Sequence, residues 1–110
     1  MPLGEAAHTY DYYHNWGGLT DGYHEGWIPG VACDSTDRVF VYSRSQNPLN
    51  VYDRDGVHLE TWGEGVLEPS LAHGITIDRD DNVFVTDATT HCVQKFNSSG
   101  NLVMTLGSPG

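Results

Sequence analysis

Four short β-strands in succession are predicted by the stretch at residues 73–107, HGITIDRDDNVFVTDATTHCVQKFNSSGNLVMTLG. Each strand segment is rich in β-branched or aromatic residues, which favour extended structure. The segments cover residues 74–78, 82–87, 91–96 and 101–106. Because clusters of Asp, Asn, Ser, Thr and Gly separate them and favour turns, the stretch is typical of a four-stranded antiparallel meander.

An earlier segment, residues 30–63, repeats this layout without a gap when it is shifted by 44 positions. The matched pairs are Gly30 and Gly74, Asp34 and Asp78, Asp37 and Asp81, Gly56 and Gly100, Thr61 and Thr105, and Gly63 and Gly107. Unrelated strands can share an alternating pattern by accident, but they do not keep register through three turns. The two segments are therefore copies of one structural unit.

A repeat of about forty residues with four strands per unit is typical of a β-propeller blade. A twisted four-stranded sheet has two apolar faces, and each face needs a neighbouring blade. We therefore predict an all-β fold, a β-propeller fragment with two four-stranded antiparallel blades and an N-terminal closing strand. Because closure of a propeller takes several blades, the chain is expected either to belong to a longer propeller or to assemble with copies of itself.

The predicted organisation has three parts. Residues 1–27 form an N-terminal segment with an orphan outer strand at about 9–17 and a glycine-rich loop, residues 28–66 form blade 1, and residues 67–110 form blade 2. The orphan strand ends in Trp16-Gly17, the same pair as Trp62-Gly63 at the end of the first repeat. A terminal strand that joins a distant blade removes the open edges of a propeller.

Composition excludes some classes of partner. The chain has 15 acidic and 5 basic residues, for a formal charge of −10, which repels nucleic acids and anionic membrane surfaces. Neither a membrane-spanning apolar run nor a signal peptide is predicted, so a soluble cytoplasmic protein is expected. Cys33 and Cys92 lie on strands of different blades and are predicted to be buried free thiols.

Both units resemble the NHL repeat. Blade 2 carries the similarity in Gly-Ile-Thr-Ile-Asp at 74–78, Val-Phe-Val-Thr-Asp at 83–87 and Val-Gln-Lys-Phe at 93–96. Blade 1 departs from the pattern, because Ser43 stands where blade 2 has Asp87 and Tyr52 stands where it has Phe96.

Within NHL proteins, residues 72–78 and 85–93 resemble the peptidyl-α-hydroxyglycine α-amidating lyases, as do residues 30–34 and 41–44 of blade 1. This resemblance implies a six-bladed propeller that cleaves a peptidyl-α-hydroxyglycine into a peptide amide and glyoxylate. It also implies a zinc ion held near the axis by histidines at the heads of inner strands, and a structural calcium. The other zinc histidines and the catalytic tyrosine of that family would lie in later blades, so no catalytic residue is assigned in this chain.

The same resemblance assigns roles by motif position to four residues. His73 would be a zinc ligand, Arg44 would bind the substrate carboxylate, and the backbone carbonyls of Val31 and Ile75 would face the calcium. Neutral imidazole suits zinc, and guanidinium binds carboxylate through two parallel hydrogen bonds. The alternatives are that His73 is a polar residue at a strand start and that Arg44 is a surface charge.

Three functional hypotheses follow from the sequence. The first is the zinc-dependent lyase. The second is a non-catalytic NHL propeller module that binds a protein or peptide partner on its open face, because a fold does not dictate a function. The third is a complete chain that forms a trimer of two-blade copies, with three His73 side chains around the axis.

Overall fold

The computed structural model describes residues 2–108 and contains three antiparallel sheets. The N-terminal hairpin is β1 (Pro2–Glu5) and β2 (His8–Asp11). Blade 1 contains β3 (Gly30–Cys33), β4 (Val39–Tyr42), β5 (Leu49–Tyr52) and β6 (His58–Trp62). Blade 2 contains β7 (Ala72–Ile77), β8 (Val83–Asp87), β9 (Cys92–Phe96) and β10 (Leu102–Leu106). The predicted all-β class and the two four-stranded antiparallel sheets are confirmed.

The strands of each blade are paired in chain order, so each blade is a meander. Over residues 2–108 no helix occurs, and consequently none is long and apolar enough to cross a membrane.

The turns explain why the two units keep the same register. An Asx side chain begins each of four turns and accepts hydrogen bonds from the backbone nitrogens two and four residues later: these residues are Asp34, Asp53, Asp78 and Asn97. The residue three positions later has positive φ in every case: Asp37, Gly56, Asp81 and Gly100. Only Gly, Asn and Asp adopt this conformation readily, so the turn chemistry fixes these positions.

The two blades pack face to face around aromatic and branched side chains. The core is formed by residues of both blades: Phe40, Tyr42, Leu49, Val51, Trp62, Leu67, Ala72, Val83, Val85 and Phe96. Ring centroids of Phe40 and Trp62 lie 5.0 Å apart, and those of Trp62 and Phe96 lie 6.1 Å apart. Trp62 therefore links the outer strand of blade 1 to the third strand of blade 2.

The inner strands approach closely at a glycine. A Cβ atom added to Gly30 would lie 2.9 Å from Cγ2 of Ile75, and real Cβ atoms do not come so close to a neighbour. Gly30 on β3 therefore provides a notch that the Ile75 side chain of β7 fills.

The N-terminal segment differs from the prediction of a strand at about residues 9–17. The strand is β2 at His8–Asp11, and it pairs with β1 rather than with a blade. The expected loose segment at residues 1–7 contains β1, while Met1 itself lies outside the described residues. Residues 2–108 contain no incomplete blade with a free edge that β2 could join. The backbone of β2 instead pairs with β1, the strand next to it in the chain.

Trp16-Gly17 nevertheless lies where the outer strand of a preceding blade would end. A Cβ atom on Gly56 would lie 2.7 Å from the Gly17 nitrogen and 3.1 Å from the Trp16 ring, as one on Gly100 would lie 2.7 Å from the Trp62 ring. Each tryptophan thus covers the same turn glycine of the blade that follows it.

The prediction for the cysteines is confirmed for Cys92, which is buried and free, and is wrong for Cys33, which is exposed and free. Cys33 lies on the face of β3 that points away from blade 2, as does Val31, which is 61% exposed. Nothing in residues 2–108 covers this inner part of blade 1.

Candidate functional site

Arg44 lies next to the start of β7, the strand that carries His73, at the end of the two blades where β4 ends and β7 begins. We call this the entry end. The Arg44 Nε donates a hydrogen bond of 3.0 Å to the backbone oxygen of Ala72, the residue before His73. The backbone nitrogen of Arg44 donates to the oxygen of Trp27 at 2.8 Å. Arg44 therefore bridges the two blades and the N-terminal loop.

His73 is exposed because it lies at an irregularity in the β7–β8 pairing, between the paired residues Ala72 and Gly74. The Gly74 backbone nitrogen turns instead to the hydroxyl of Thr86, at 3.1 Å. Bulges of this kind redirect a side chain and occur often near functional sites. The imidazole is thus presented at the entry end.

A cavity of about 510 Å³ lies beside Arg44. It is lined by Gly26, Trp27, Arg44, Ser70 and Leu71. The Trp27 side chain is 80% exposed, and among residues 2–108 no carboxylate forms an ion pair with Arg44. The site thus combines an unpaired cation with an exposed aromatic surface, in a chain that is otherwise acidic.

A second, larger cavity of about 820 Å³ is built from the same loops at the entry end. Its lining residues come from the N-terminal loop, the β4–β5 loop and the β6–β7 crossover: Gly22, His24, Gln46, Asn47, Glu64, Gly65, Leu67 and Pro69. Its walls combine apolar residues such as Leu67 with polar ones, and the Asn47 side chain donates to Glu64 at 3.1 Å. The entry end therefore offers a groove with polar and aromatic walls.

The loop that carries Trp27 is held by hydrogen bonds to the β4–β5 region. The Gly26 nitrogen donates to Ser43 Oγ and the His24 nitrogen donates to Asn47 Oδ1, each at 2.7 Å. The position of Trp27 is thus fixed on both sides, because Arg44 also binds its backbone oxygen.

Glu25, in the same loop, is partly buried against blade 1. Its Oε1 accepts a hydrogen bond from the buried side chain of Asn50, while its Oε2 is buried and has no partner within residues 2–108. Burial raises the pKa of Glu25, although the bond from Asn50 opposes the shift. Burial and the charge of Glu25 also raise the pKa of Tyr52 to about 12. The ionised form of this carboxyl is therefore less stable in the folded chain than in water.

The residues predicted as metal ligands do not form a complete site. Across the described residues no group of three or more His, Cys, Asp and Glu side chains could hold a metal ion. The predicted role of His73 as a zinc ligand stays a prediction. A zinc site of the catalytic kind requires about three protein ligands.

Val31 and Ile75 occupy equivalent positions on the inner strands, opposite Val41 and Val85 respectively. The predicted role of their carbonyl oxygens as calcium ligands stays a prediction.

Trp27 was not singled out by the sequence. Residues 18–27 contain three glycines, and this pattern predicts a connecting loop without giving the tryptophan a role. The available signal was the tryptophan itself, since a large aromatic side chain in a glycine-rich loop needs either a core or a ligand to cover it.

Comparisons with known proteins agree with the repeat. Residues 70–96, which include β7 to β9, match the family model of the NHL repeat. NHL repeat-containing protein 3 of Mus musculus is 36% identical over 90 residues, which make up 73% of this chain and 25% of the relative. NHL repeat-containing protein 3 of Homo sapiens is 32% identical over 87 residues, with the same coverage of 73% and 25%. The chain thus spans about a quarter of the length of the curated relatives it matches.

Proposed function

We propose that this chain, which carries an NHL repeat at residues 70–96, is part of a propeller that binds a peptide segment at its entry end. A carboxylate of the ligand would pair with Arg44. The observation that carries the proposal is the unpaired guanidinium of Arg44, held by the Ala72 carbonyl beside the exposed ring of Trp27.

The geometry favours a carboxylate over other groups. A guanidinium presents five N–H donors, and the Nε of Arg44 is the donor that Ala72 occupies. The two terminal nitrogens remain available for two parallel hydrogen bonds, the arrangement that binds carboxylate most strongly. Trp27 adds a rigid aromatic surface of the kind that anchors peptide side chains.

The test uses matched peptides that end either in a free carboxylate or in an amide. We expect the acid form to bind more tightly, and Arg44→Ala to remove most of the difference. Loss of a hydrogen-bonded charge pair costs about 1.5–3 kcal/mol, which corresponds to roughly a tenfold or larger rise in the dissociation constant. Arg54→Ala is the control, because that side chain is 76% exposed and lies on the β5–β6 turn.

Equal binding of the acid and amide peptides would contradict the proposal. So would equal losses in the Arg44 and Arg54 variants. Circular dichroism of both variants separates a binding defect from unfolding caused by loss of the Arg44–Ala72 hydrogen bond that joins the blades.

A second candidate function is the zinc-dependent lyase, cleaving a peptidyl-α-hydroxyglycine into a peptide amide and glyoxylate in a six-bladed ring. One observation favours it: Arg44 bonds to the carbonyl of the residue preceding His73, so the substrate-binding and zinc-ligand candidates are neighbours. Zinc, when bound, would polarise the substrate oxygen. A calcium ion bound by the carbonyls of Val31 and Ile75 would stabilise the inner strands.

Metal analysis distinguishes the two candidates. In the polypeptide that contains all the blades, the lyase hypothesis expects one bound zinc that His73→Ala abolishes. Unchanged zinc content would remove His73 as a ligand, and absence of zinc in the parent protein would favour the binding module. His58→Ala is the control, because His58 begins β6 beside Tyr52, at the opposite end of blade 1 from the entry end.

A further inference from the structure

The two cavities at the entry end lie along one pair of loops. At one end of this pair the Arg44 nitrogen donates to the Trp27 oxygen, at 2.8 Å. At the other end the Asn47 Oδ1 accepts from the His24 nitrogen, at 2.7 Å. Between them the Ser45 hydroxyl donates to the His24 oxygen, at 2.8 Å. The smaller cavity, beside Arg44, and the larger one therefore occupy consecutive parts of the same groove.

The length of the groove suits a short extended peptide. Arg44 and Asn47 are three residues apart, as are His24 and Trp27. An extended chain covers at most about 11 Å over three residues. A peptide whose carboxylate binds Arg44 can therefore reach the larger cavity with the few residues that precede that carboxylate.

The larger cavity contains a carboxylate that a buried amide holds in place. Asn47 is 7% exposed and uses both ends of its side chain, because its Oδ1 binds the His24 nitrogen and its Nδ2 donates to Glu64 Oε2 at 3.1 Å. Within residues 2–108 this is the single hydrogen bond of the Glu64 carboxylate, and no ion pair includes Glu64. The carboxylate is thus oriented and can still accept hydrogen bonds from a ligand.

Apolar side chains lie beside this carboxylate. Leu67 is buried in the core and lines the cavity together with Pro69. Long basic side chains place their methylene groups on apolar surface and keep the charged end among polar groups. An apolar wall next to an oriented carboxylate therefore suits the side chain of Lys or Arg.

The charge of the groove also favours a cation in the ligand. Its three segments, residues 22–27, 44–47 and 64–71, contain the acidic residues Glu25, Glu64 and Glu68 but Arg44 as their one Lys or Arg residue. The chain as a whole has a formal charge of −10. A peptide that carried only a carboxylate would be repelled by this field, and a positive charge in the same peptide offsets the repulsion.

We propose that the larger cavity is a second subsite of the groove, which binds a basic side chain of the peptide. The ammonium or guanidinium group pairs with Glu64, and the stem of the side chain lies on Leu67 and Pro69. This inference rests on the proposed function, because the carboxylate bound at Arg44 fixes the register of the peptide. The ligand class is then a peptide with Lys or Arg a few residues before a free C-terminal carboxylate.

The test moves a single Lys through successive positions before the free carboxylate of a labelled peptide. Each peptide is matched by one with norleucine at the same position, which keeps the four-carbon stem and removes the charge. Dissociation constants for the full chain are measured by fluorescence anisotropy. We expect Lys to bind about two- to fivefold more tightly than norleucine, the range of an exposed ion pair, at one or two neighbouring positions and not at the others.

Three variants of the chain assign the effect to Glu64. Glu64→Gln should abolish the preference for Lys and keep the difference between acid and amide peptides. Arg44→Ala should remove the acid–amide difference and keep a preference for Lys over norleucine. Glu68→Gln is the matched control, because it removes the same charge from the same crossover, but from a carboxyl that the Ser70 nitrogen and hydroxyl already bind. It should keep both effects.

Two results would overturn the second subsite: no preference for Lys at any position, or an equal preference at every position, which a general attraction to the acidic chain would produce. Equal losses in Glu64→Gln and Glu68→Gln would also overturn it. An acid–amide difference without a preference for Lys would leave the proposed function intact.

The converse result separates the two proposals in the other direction. A preference for Lys that Glu64→Gln removes, found without an acid–amide difference, would contradict carboxylate binding at Arg44 alone. Absence of binding by every peptide would overturn both.

Discussion

The Asp34 carboxylate illustrates how one side chain can organise a turn and an ion pair together. Its buried oxygens accept from the Thr36 nitrogen and hydroxyl and from the Arg38 nitrogen and Nε. Burial alone would raise the pKa of Asp34, but the bonds from Arg38 and Thr36 outweigh it and hold the pKa below 3.8. Arg38 then reaches across to the backbone oxygen of Ser98 in blade 2, at 2.9 Å.

We expect Asp34→Asn to lower the free energy of unfolding by about 2–3 kcal/mol at neutral pH, because charge-assisted hydrogen bonds are lost. The folded pKa is depressed, so the wild-type advantage should be present above pH 3.8 and disappear as pH falls through the folded pKa. Urea denaturation at several pH values measures it. Asp37→Asn is the control, since its side chain is 69% exposed; equal losses in both variants would contradict this account.

The Glu25 carboxyl should have the opposite effect on the pH dependence of stability from the Asp34 carboxyl. Its pKa is raised in the folded chain, so the folded state holds the proton more tightly and loses stability as pH rises through the folded pKa. We expect the stability of Glu25→Gln relative to wild type to increase as the pH rises from the ordinary pKa of 4.5 through the raised pKa of the folded chain. Thermal or urea unfolding across this range provides the measurement.

Glu68→Gln is the control for Glu25. Hydrogen bonds from Ser70 lower the pKa of this exposed carboxyl, so its contribution is present above pH 4.5 and lost as pH falls. The two variants should therefore show opposite trends with pH. Parallel curves for Glu25→Gln and wild type would show that the carboxyl is not buried as described.

At the scale of elements, the sequence predicted the blades well and the N-terminal strand poorly, for one physical reason. Each blade strand has its partners next to it in the chain, and the Asx turns at Asp34, Asp53, Asp78 and Asn97 fix the register locally. The strand expected near residues 9–17 depended on partners that residues 2–108 do not contain. Its end, Trp16-Gly17, still lies where the repeat predicts.

Trp62 is the side chain on which the contact between the blades depends most. It packs against Phe40 and Phe96 and is 5% exposed. We expect Trp62→Ala to cost about 3–5 kcal/mol, the usual range for a buried aromatic residue, and to broaden the unfolding transition as the blades uncouple. Urea unfolding followed by circular dichroism measures both effects.

Trp27→Ala is the matched control, because Trp27 is 80% exposed. It should change stability little while weakening peptide binding at the entry end. A Trp62→Ala variant as stable as Trp27→Ala would show that the aromatic stack does not join the blades.

At the scale of the whole molecule, the site was less predictable than the fold. A resemblance alone points to His73 and Arg44, and the contact of Arg44 with the start of β7 depends on its hydrogen bond to Ala72, which joins residues 28 positions apart. No local pattern encodes such a contact. The prediction of a buried Cys33 is wrong for a related reason, because burial of this face of an inner strand depends on contacts between blades rather than on local sequence.

The arrangement of the two blades can be measured directly by nuclear Overhauser effects in solution. The account expects cross-peaks between the Ile75 methyl group and the Gly30 α-protons, and between the Trp62 indole and the Gly100 α-protons, since these groups are in van der Waals contact. Both sets should appear together with the cross-strand contacts within each sheet. Intact sheets that lack both inter-blade sets would show that the repeats do not pack as adjacent blades, and the entry end would then not exist.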